Sequence, residues 1–123
     1  MKITIEVEDQ KIKDQIITAI EGGSNYWYYL KDLSMLPAKK EGEALSERVG
    51  RAVLDEGIEV PVFDYEDQDE ELGKLSKASI ENAMMIMASE YPQTLDDIRE
   101  ETGDAETADI FFQLAVMGEI IFG

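Results

Sequence analysis

The C-terminal segment of the chain would be apolar on nearly every side if it were wound as a helix. Its polar interruptions between residues 110 and 122 are Gln113, Gly118 and Glu119. A helix without a polar face has to be surrounded by the rest of the protein. We therefore expect a helix beginning at Asp104 or Ala105 to form the centre of the core. Gly118 either lies within this helix or ends it, in which case 119–122 run as a short final strand.

The overall composition predicts a folded acidic domain. The 123 residues include 28 acidic and 11 basic side chains, a formal charge of −17, and 44% of them are hydrophobic. That hydrophobic content is typical of a globular protein, and the length is normal for one domain over residues 1–123. Phosphate contacts need clustered Lys and Arg, so we expect no direct nucleic-acid partner.

Cysteine and histidine are both absent. This absence excludes disulfides, thiolate nucleophiles, histidine general bases and the commonest zinc ligands. We expect no cofactor and no metal. The N-terminal residues lack the apolar core of a signal peptide, and no stretch is long enough to span a bilayer. The sequence thus predicts a cytoplasmic protein without a membrane partner.

The first third of the chain predicts a strand, a helix and an aromatic segment. Residues 3–7 alternate between apolar and polar, as in a strand with one buried face. After Asp9, a candidate N-cap, isoleucines at helical spacing predict a helix that Gly22-Gly23 ends with a left-handed residue. Residues 25–30 favour extended structure, and a helix capped by Ser24 is the alternative.

The middle of the chain predicts a helix, a strand and a turn. Apolar spacing places the helix over 44–55, ended by Gly57. Residues 58–63 are rich in β-branched side chains, and Pro61 predicts an edge strand because proline removes one ladder donor. The acidic run 64–71 does not have the EF-hand spacing of ligands and glycine, so it predicts a solvated turn.

Two further helices precede the C-terminal one. The first is predicted over 76–90, with Pro92 just beyond its end, and a short one over 94–101, capped by Thr94. The inner face of the longer helix is predicted to contain Ile80, Met84, Met87 and Ala88. Together these elements predict an α+β fold, with a small sheet of two to four strands packed against two longer C-terminal helices and one or two N-terminal helices.

The most unusual local string in the chain is Glu21-Gly-Gly-Ser-Asn-Tyr-Trp27. Two glycines let a backbone approach a partner closely, and Tyr and Trp anchor interfaces. A helix stop followed by core aromatics is the interpretation that the residue types favour, because both features are common in small proteins. Residues 26–29 cannot all be buried on one face, so part of this aromatic surface should be exposed. The predicted partner-binding residues are Gly22, Gly23, Asn25, Tyr26, Trp27 and Tyr28.

A second candidate is a polar cluster on the C-terminal helix. Glu106, Asp109 and Gln113 fall within about 60° of one another around the helix axis, and solvent exposure explains such a stripe. Glu119 would lie on the apolar side if the helix continued, where a carboxylate must be paired or protonated. A helix that ends before it removes this requirement. The predicted functional polar cluster is Asp109, Gln113 and Glu119.

Two strings, Ala19-Ile-Glu-Gly-Gly-Ser-Asn-Tyr-Trp27 and the segment from Asp104 to Gly123, resemble a family of small uncharacterised proteins encoded by bacteriophages and prophages. The family motifs are A-L-E-G-G-[IS]-N-Y-W and D-A-x-x-A-D-x-I-x-Q-x-A-L-F-G-E-x-V-[YF]-G. Met117 departs from the usual phenylalanine. The resemblance implies a phage or prophage origin and no known activity. The residues at motif positions are Gly22, Gly23, Asn25, Tyr26, Trp27, Ala108, Asp109, Gln113, Gly118, Glu119 and Gly123.

The favoured hypothesis is a phage-type accessory protein that acts in the bacterial host by binding another protein, with a basic partner suited to the acidic surface. One alternative is a DNA mimic whose carboxylates occupy the basic groove of a host DNA-binding protein. Another is a small enzyme or ligand-binding domain that uses carboxylates and Mg²⁺, although catalysis is less favoured. A homo-oligomer is compatible with each of these and is suggested by the apolar last helix.

Overall fold

A computed structural model describes residues 6–123, which form five α-helices, one π-helical turn and a three-stranded antiparallel sheet. The predicted α+β class with a small sheet is confirmed. The helices are α1 (Asp9–Thr18), α2 (Leu45–Leu54), α3 (Lys77–Glu90), α4 (Pro92–Glu100) and α5 (Ala105–Met117), and the π turn is Ala19–Gly23. The strands are β1 (Tyr28–Tyr29), β2 (Val60–Asp64) and β3 (Glu71–Leu75).

Helix α5 is the centre of the core, as its apolar sequence predicts. Every residue from 111 to 116 is buried, and the helix contacts α1, α3, α4, β3 and the π turn. The Asp104 carboxylate caps it by accepting hydrogen bonds from the backbone N–H groups of Glu106 and Thr107. Gly118 ends it in a left-handed conformation, with φ +77°. Residues 119–122 are neither helix nor strand, so the final strand is not formed.

The sheet has the order β1-β2-β3, and the acidic turn joins β2 to β3. The prediction that the strand containing Pro61 is an edge strand is wrong, because β2 lies in the middle. Proline is tolerated there because β1 pairs only with Phe63 and Asp64, so that strand does not extend as far as Pro61. The sequence did not predict β3. It crosses α5 closely, since a Cβ atom at Gly73 would lie 1.9 Å from the carbonyl oxygen of Val116.

The first helix differs from its prediction at both ends. The strand predicted over 3–7 falls largely outside the described residues, and Glu6 and Val7 are not in a strand. Asp9 is the first residue of α1 and not its cap. The C-terminal end widens into the π turn, and neither Gly22 nor Gly23 has a positive φ. The extended segment is limited to Tyr28–Tyr29, because Ser24 accepts turn hydrogen bonds from the N–H groups of residues 27 and 28.

The helices of the second half match their predictions with local corrections. Helix α3 begins one residue later than predicted, because Ser76 is its N-cap, and Ala88 is exposed whereas Ala83 is buried on the inner face. Helix α4 begins at Pro92, so Thr94 does not cap it. Proline suits the first helical position, where its missing N–H has no helical partner. Among the residues described, none of the helices has the length and apolar character that crossing a bilayer requires.

Candidate functional site

The two unusual sequence strings meet at the side chain of Asp109. One carboxylate oxygen accepts hydrogen bonds from the Ser24 hydroxyl at 2.7 Å and the Trp27 indole N–H at 2.8 Å. The other accepts them from the Tyr26 hydroxyl at 2.5 Å and the Gln113 amide at 3.1 Å. We call these five residues the Asp109 junction. It ties the turn after α1 to α5 across more than 80 residues of sequence.

The Gln113 side chain connects this junction to the end of the chain. Its amide oxygen accepts the backbone N–H groups of Ile121 and Phe122, both at 2.9 Å, and its NH₂ group donates to the Phe122 carbonyl at 3.0 Å. The side chain is only 1% exposed. The prediction that solvent exposure explains the Asp109/Gln113 stripe is therefore wrong for Gln113, which is buried and fully hydrogen-bonded.

Trp27 belongs to the core and not to the surface that the sequence assigned to partner binding. Its side chain is 1% exposed and stacks on Phe122, with ring centroids 5.4 Å apart and an interplanar angle of 9°. Phe112 packs against it at 5.5 Å. Tyr28 is half-buried, and its hydroxyl donates to the carbonyl of Ile20. The indole thus combines an apolar environment with a satisfied N–H, as buried tryptophans usually do.

Gly23 lets the π turn approach the beginning of α5. A Cβ atom at Gly23 would lie 2.6 Å from the carbonyl oxygen of Ala105, whereas a Cβ at Gly22 would meet nothing within 4 Å. A side chain at Gly23 would therefore push two backbones apart. π-helical turns within helices are often found at functional sites. This one places the Ser24 hydroxyl within hydrogen-bond distance of the Asp109 carboxylate.

The two adjacent glycines provide a matched prediction. Gly23→Ala is expected to lower the free energy of unfolding by about 2 kcal/mol, because the new methyl group overlaps a backbone carbonyl. Gly22→Ala is expected to leave stability unchanged or to raise it by up to about 1 kcal/mol, since alanine restricts the unfolded chain. Urea denaturation monitored by Trp27 fluorescence measures both. Equal effects at the two positions would show that the backbone of Gly23 does not lie against the carbonyl of Ala105.

An open groove of about 520 Å³ lies beside the junction. Tyr26 is 48% exposed at its edge, with the hydroxyl turned inward to Asp109. Among residues 6–123, the groove includes the carboxylates of Glu106 and Asp109 and no Lys or Arg side chain. Its main apolar lining residues are Tyr26, Tyr91, Ile110, Ile120 and Phe122. We call this the Tyr26 groove.

The groove contains some of the predicted site residues and leaves out others. Gly22, Gly23, Tyr26, Asp109 and Gln113 line it, whereas Asn25 and Glu119 are exposed and do not. Sequence reasoning did not single out Ser24, Tyr91, Ile110, Ile120 or Phe122. Ser24 lies within the first string and Phe122 at an aromatic position of the second motif, so the sequence marked both as candidates. No sequence pattern marks Tyr91, because it reaches the groove only through the packing of α3 and α4.

Burial raises the pKa of Tyr26 to about 12, and the hydrogen bond and negative charge of Asp109 raise it in the same direction. The folded protein should therefore keep this proton when the unfolded chain, with a tyrosine pKa of 10.0, has lost it. Stability from this contact is present below pH 10 and falls as the pH rises toward 12. A near-ultraviolet titration of tyrosinate absorbance should lose one late-titrating tyrosine in Tyr26→Phe. An unchanged titration curve above pH 10 would contradict the assignment.

The Asp109 junction is a structural link between two segments of the chain. Both oxygens of Asp109 accept hydrogen bonds from neutral donors. Within residues 6–123, no three acidic side chains are gathered as metal ligands would be. Comparisons with models of protein families, with curated proteins and with solved structures found no match.

Proposed function

We propose that this chain is a phage- or prophage-type accessory protein that binds a protein partner in the cytoplasm of a bacterial host. The single observation that carries this proposal is the convergence of both motif strings on the Asp109 junction, which presents the Tyr26 ring at the edge of an open groove. Exposed aromatic rings on a rigid support are frequent anchors of protein interfaces. The resemblance of the two strings to phage proteins supports the proposed origin.

The charge of the groove supports a partner with basic side chains. The formal charge of the chain is −17, and the described part of the chain gives the groove the carboxylates of Glu106 and Asp109 but no basic lining residue. Its walls are mainly apolar, with Tyr26, Ile110 and Ile120 among them. The partner segment that fits is one with an apolar or aromatic anchor next to a Lys or Arg. Long-range attraction would speed its association, and salt would reduce this effect.

The test is capture of bacterial proteins from a nuclease-treated lysate, with groove variants compared with matched surface variants. Tyr26→Ser and Glu106→Lys remove the exposed ring and reverse a groove charge. Each is expected to reduce recovery of a captured partner about 10-fold, which is the loss of one interface contact of about 1.4 kcal/mol. Tyr26→Phe keeps the ring and should retain the partner. Circular dichroism verifies that each variant is folded.

Matched controls place the same changes on exposed residues outside the groove. Tyr65→Ser removes another exposed aromatic ring, and Glu71→Lys reverses the charge of another exposed acidic residue. Both should retain the partner. Equal loss with the groove and control variants would overturn the proposal.

The same assay separates this proposal from DNA mimicry. A variant in which Asp64, Glu66, Asp67 and Asp69 are replaced by amides removes four charges from the acidic turn and leaves the groove intact. A DNA-binding protein that is lost with this variant or with added salt, and kept by Tyr26→Ser, would support mimicry and overturn binding at the groove.

A further inference from the structure

The last five residues, 119–123, form a strap whose hydrogen bonds to the rest of the described chain go to a single side chain. Within the described part of the chain, the hydrogen bonds between the strap and the rest of the protein all involve the Gln113 amide. The strap has no helical or strand structure of its own. Segments with few backbone hydrogen bonds and little burial open at a lower free-energy cost than the whole fold.

The outer side of the strap adds little to its attachment. Ile121 is 54% exposed, and Ile120, at 38% exposed, leaves more than a third of its surface in solvent. Phe122 is the strap residue that packs against the core, through its stack on Trp27. One ring and one amide thus hold the strap against the domain.

The surface beneath the strap is held in place by contacts that do not involve the strap. Trp27 is fixed by its hydrogen bond to Asp109 and by packing against Phe112. The Asp109 carboxylate is in turn held by Ser24 and Tyr26, which lie in the turn after α1. None of these contacts involves residues 119–123. Release of the strap would therefore expose a preformed indole face next to a Gln113 amide that still donates to Asp109 but has lost its three hydrogen bonds to the strap.

We infer that the strap is a displaceable cover, and that the partner replaces it with an extended segment carrying an aromatic residue. The inference rests on the proposed binding function and specifies how that site is regulated, since the partner takes the place of the groove wall that Ile120 and Phe122 form in the closed state. The Gln113 amide offers an acceptor for two N–H groups and a donor for one carbonyl, which any extended backbone can satisfy. The Trp27 face takes the partner's aromatic ring where Phe122 lies in the closed form.

Hydrogen exchange of the intact protein tests whether the strap opens. The amides of Ile121 and Phe122 are expected to exchange on the order of 100-fold faster than those of residues 112–115 in α5, because strap opening does not require global unfolding. Gln113→Leu should accelerate the two strap amides further. Strap amides that exchange as slowly as those of α5 would overturn the inference.

A peptide with the strap's own sequence tests whether the uncovered surface accepts a segment in trans. The probe is Gly-Glu-Ile-Ile-Phe-Gly, added to full-length Phe122→Ala with Trp27 fluorescence as the signal. Saturable binding is expected, at least about 10-fold weaker for the same peptide with Phe replaced by Ala. Equal affinity for the two peptides, or no binding of either peptide, would overturn the inference. Lysate capture that still depended on Tyr26 and Glu106 would then leave the proposed function intact.

Discussion

Replacement of Trp27 by alanine is expected to lower the free energy of unfolding by about 4 kcal/mol, which is typical of a buried tryptophan. The indole is 1% exposed and fills the space between Phe112 and Phe122. Its loss would leave a cavity and remove one donor to Asp109. Because Trp27 is the only tryptophan, circular dichroism during urea denaturation is the measurement.

Tyr65→Ala is the matched control for this prediction. Tyr65 is another aromatic residue of the chain, but its side chain is 55% exposed. Its replacement is expected to change stability by no more than about 0.5 kcal/mol. If Trp27→Ala and Tyr65→Ala had similar small effects, the buried position of the indole would be wrong.

The second large effect is expected at Asp109. Asp109→Ala should lower the free energy of unfolding by about 3 kcal/mol, because it leaves the Trp27 N–H and the Ser24 hydroxyl without an acceptor in a buried place. Asp109→Asn keeps one acceptor oxygen for these two donors. Its new NH₂ group faces the Gln113 NH₂, although the Tyr26 hydroxyl can turn to accept. We expect about half the cost of the alanine variant.

The Asp109 variants are measured by urea denaturation with Trp27 fluorescence. Asp96→Ala, which removes an exposed carboxylate from α4, is the control and should cost no more than about 0.5 kcal/mol. A cost at Asp109 as small as that at Asp96 would mean that its four hydrogen bonds do not stabilise the fold. If Asp109→Asn and Asp109→Ala lowered the free energy of unfolding equally, the acceptor oxygen that asparagine retains would not stabilise the fold.

Strong helical periodicity was sufficient to predict most of the fold. The apolar pattern of α5 required a central position. Ser76 and Gly118 lie at helix ends, where the serine side chain accepts a backbone hydrogen bond and the glycine takes a left-handed conformation. The position of β2 was mispredicted because the local rule about Pro61 takes no account of how far β1 extends. Strand β3 was missed because Glu71–Leu75 has two charges and a glycine in five residues, and its pairing depends on the hairpin.

The sequence singled out some of the residues that meet at Asp109, but not their arrangement. The two strings stood out by their composition, and Asp109, Gln113 and Tyr26 do meet. A helical wheel treats the polar face of α5 as solvent-exposed, since it contains no information about segments that return from elsewhere. Gln113 is buried because the chain reverses at Gly118 and brings Phe122 back over it. Trp27 is buried for the same reason.

The central claim is that the turn after α1 and helix α5 are held together at Asp109. The most direct test is a double-mutant cycle with Asp109→Ala, Trp27→Phe and the double variant, each unfolded in urea and followed by circular dichroism. We expect a coupling free energy of about 2 kcal/mol between the two positions, because phenylalanine at position 27 no longer donates a hydrogen bond. Costs that add to within about 0.3 kcal/mol would contradict it, since they would mean that the carboxylate and the indole do not interact.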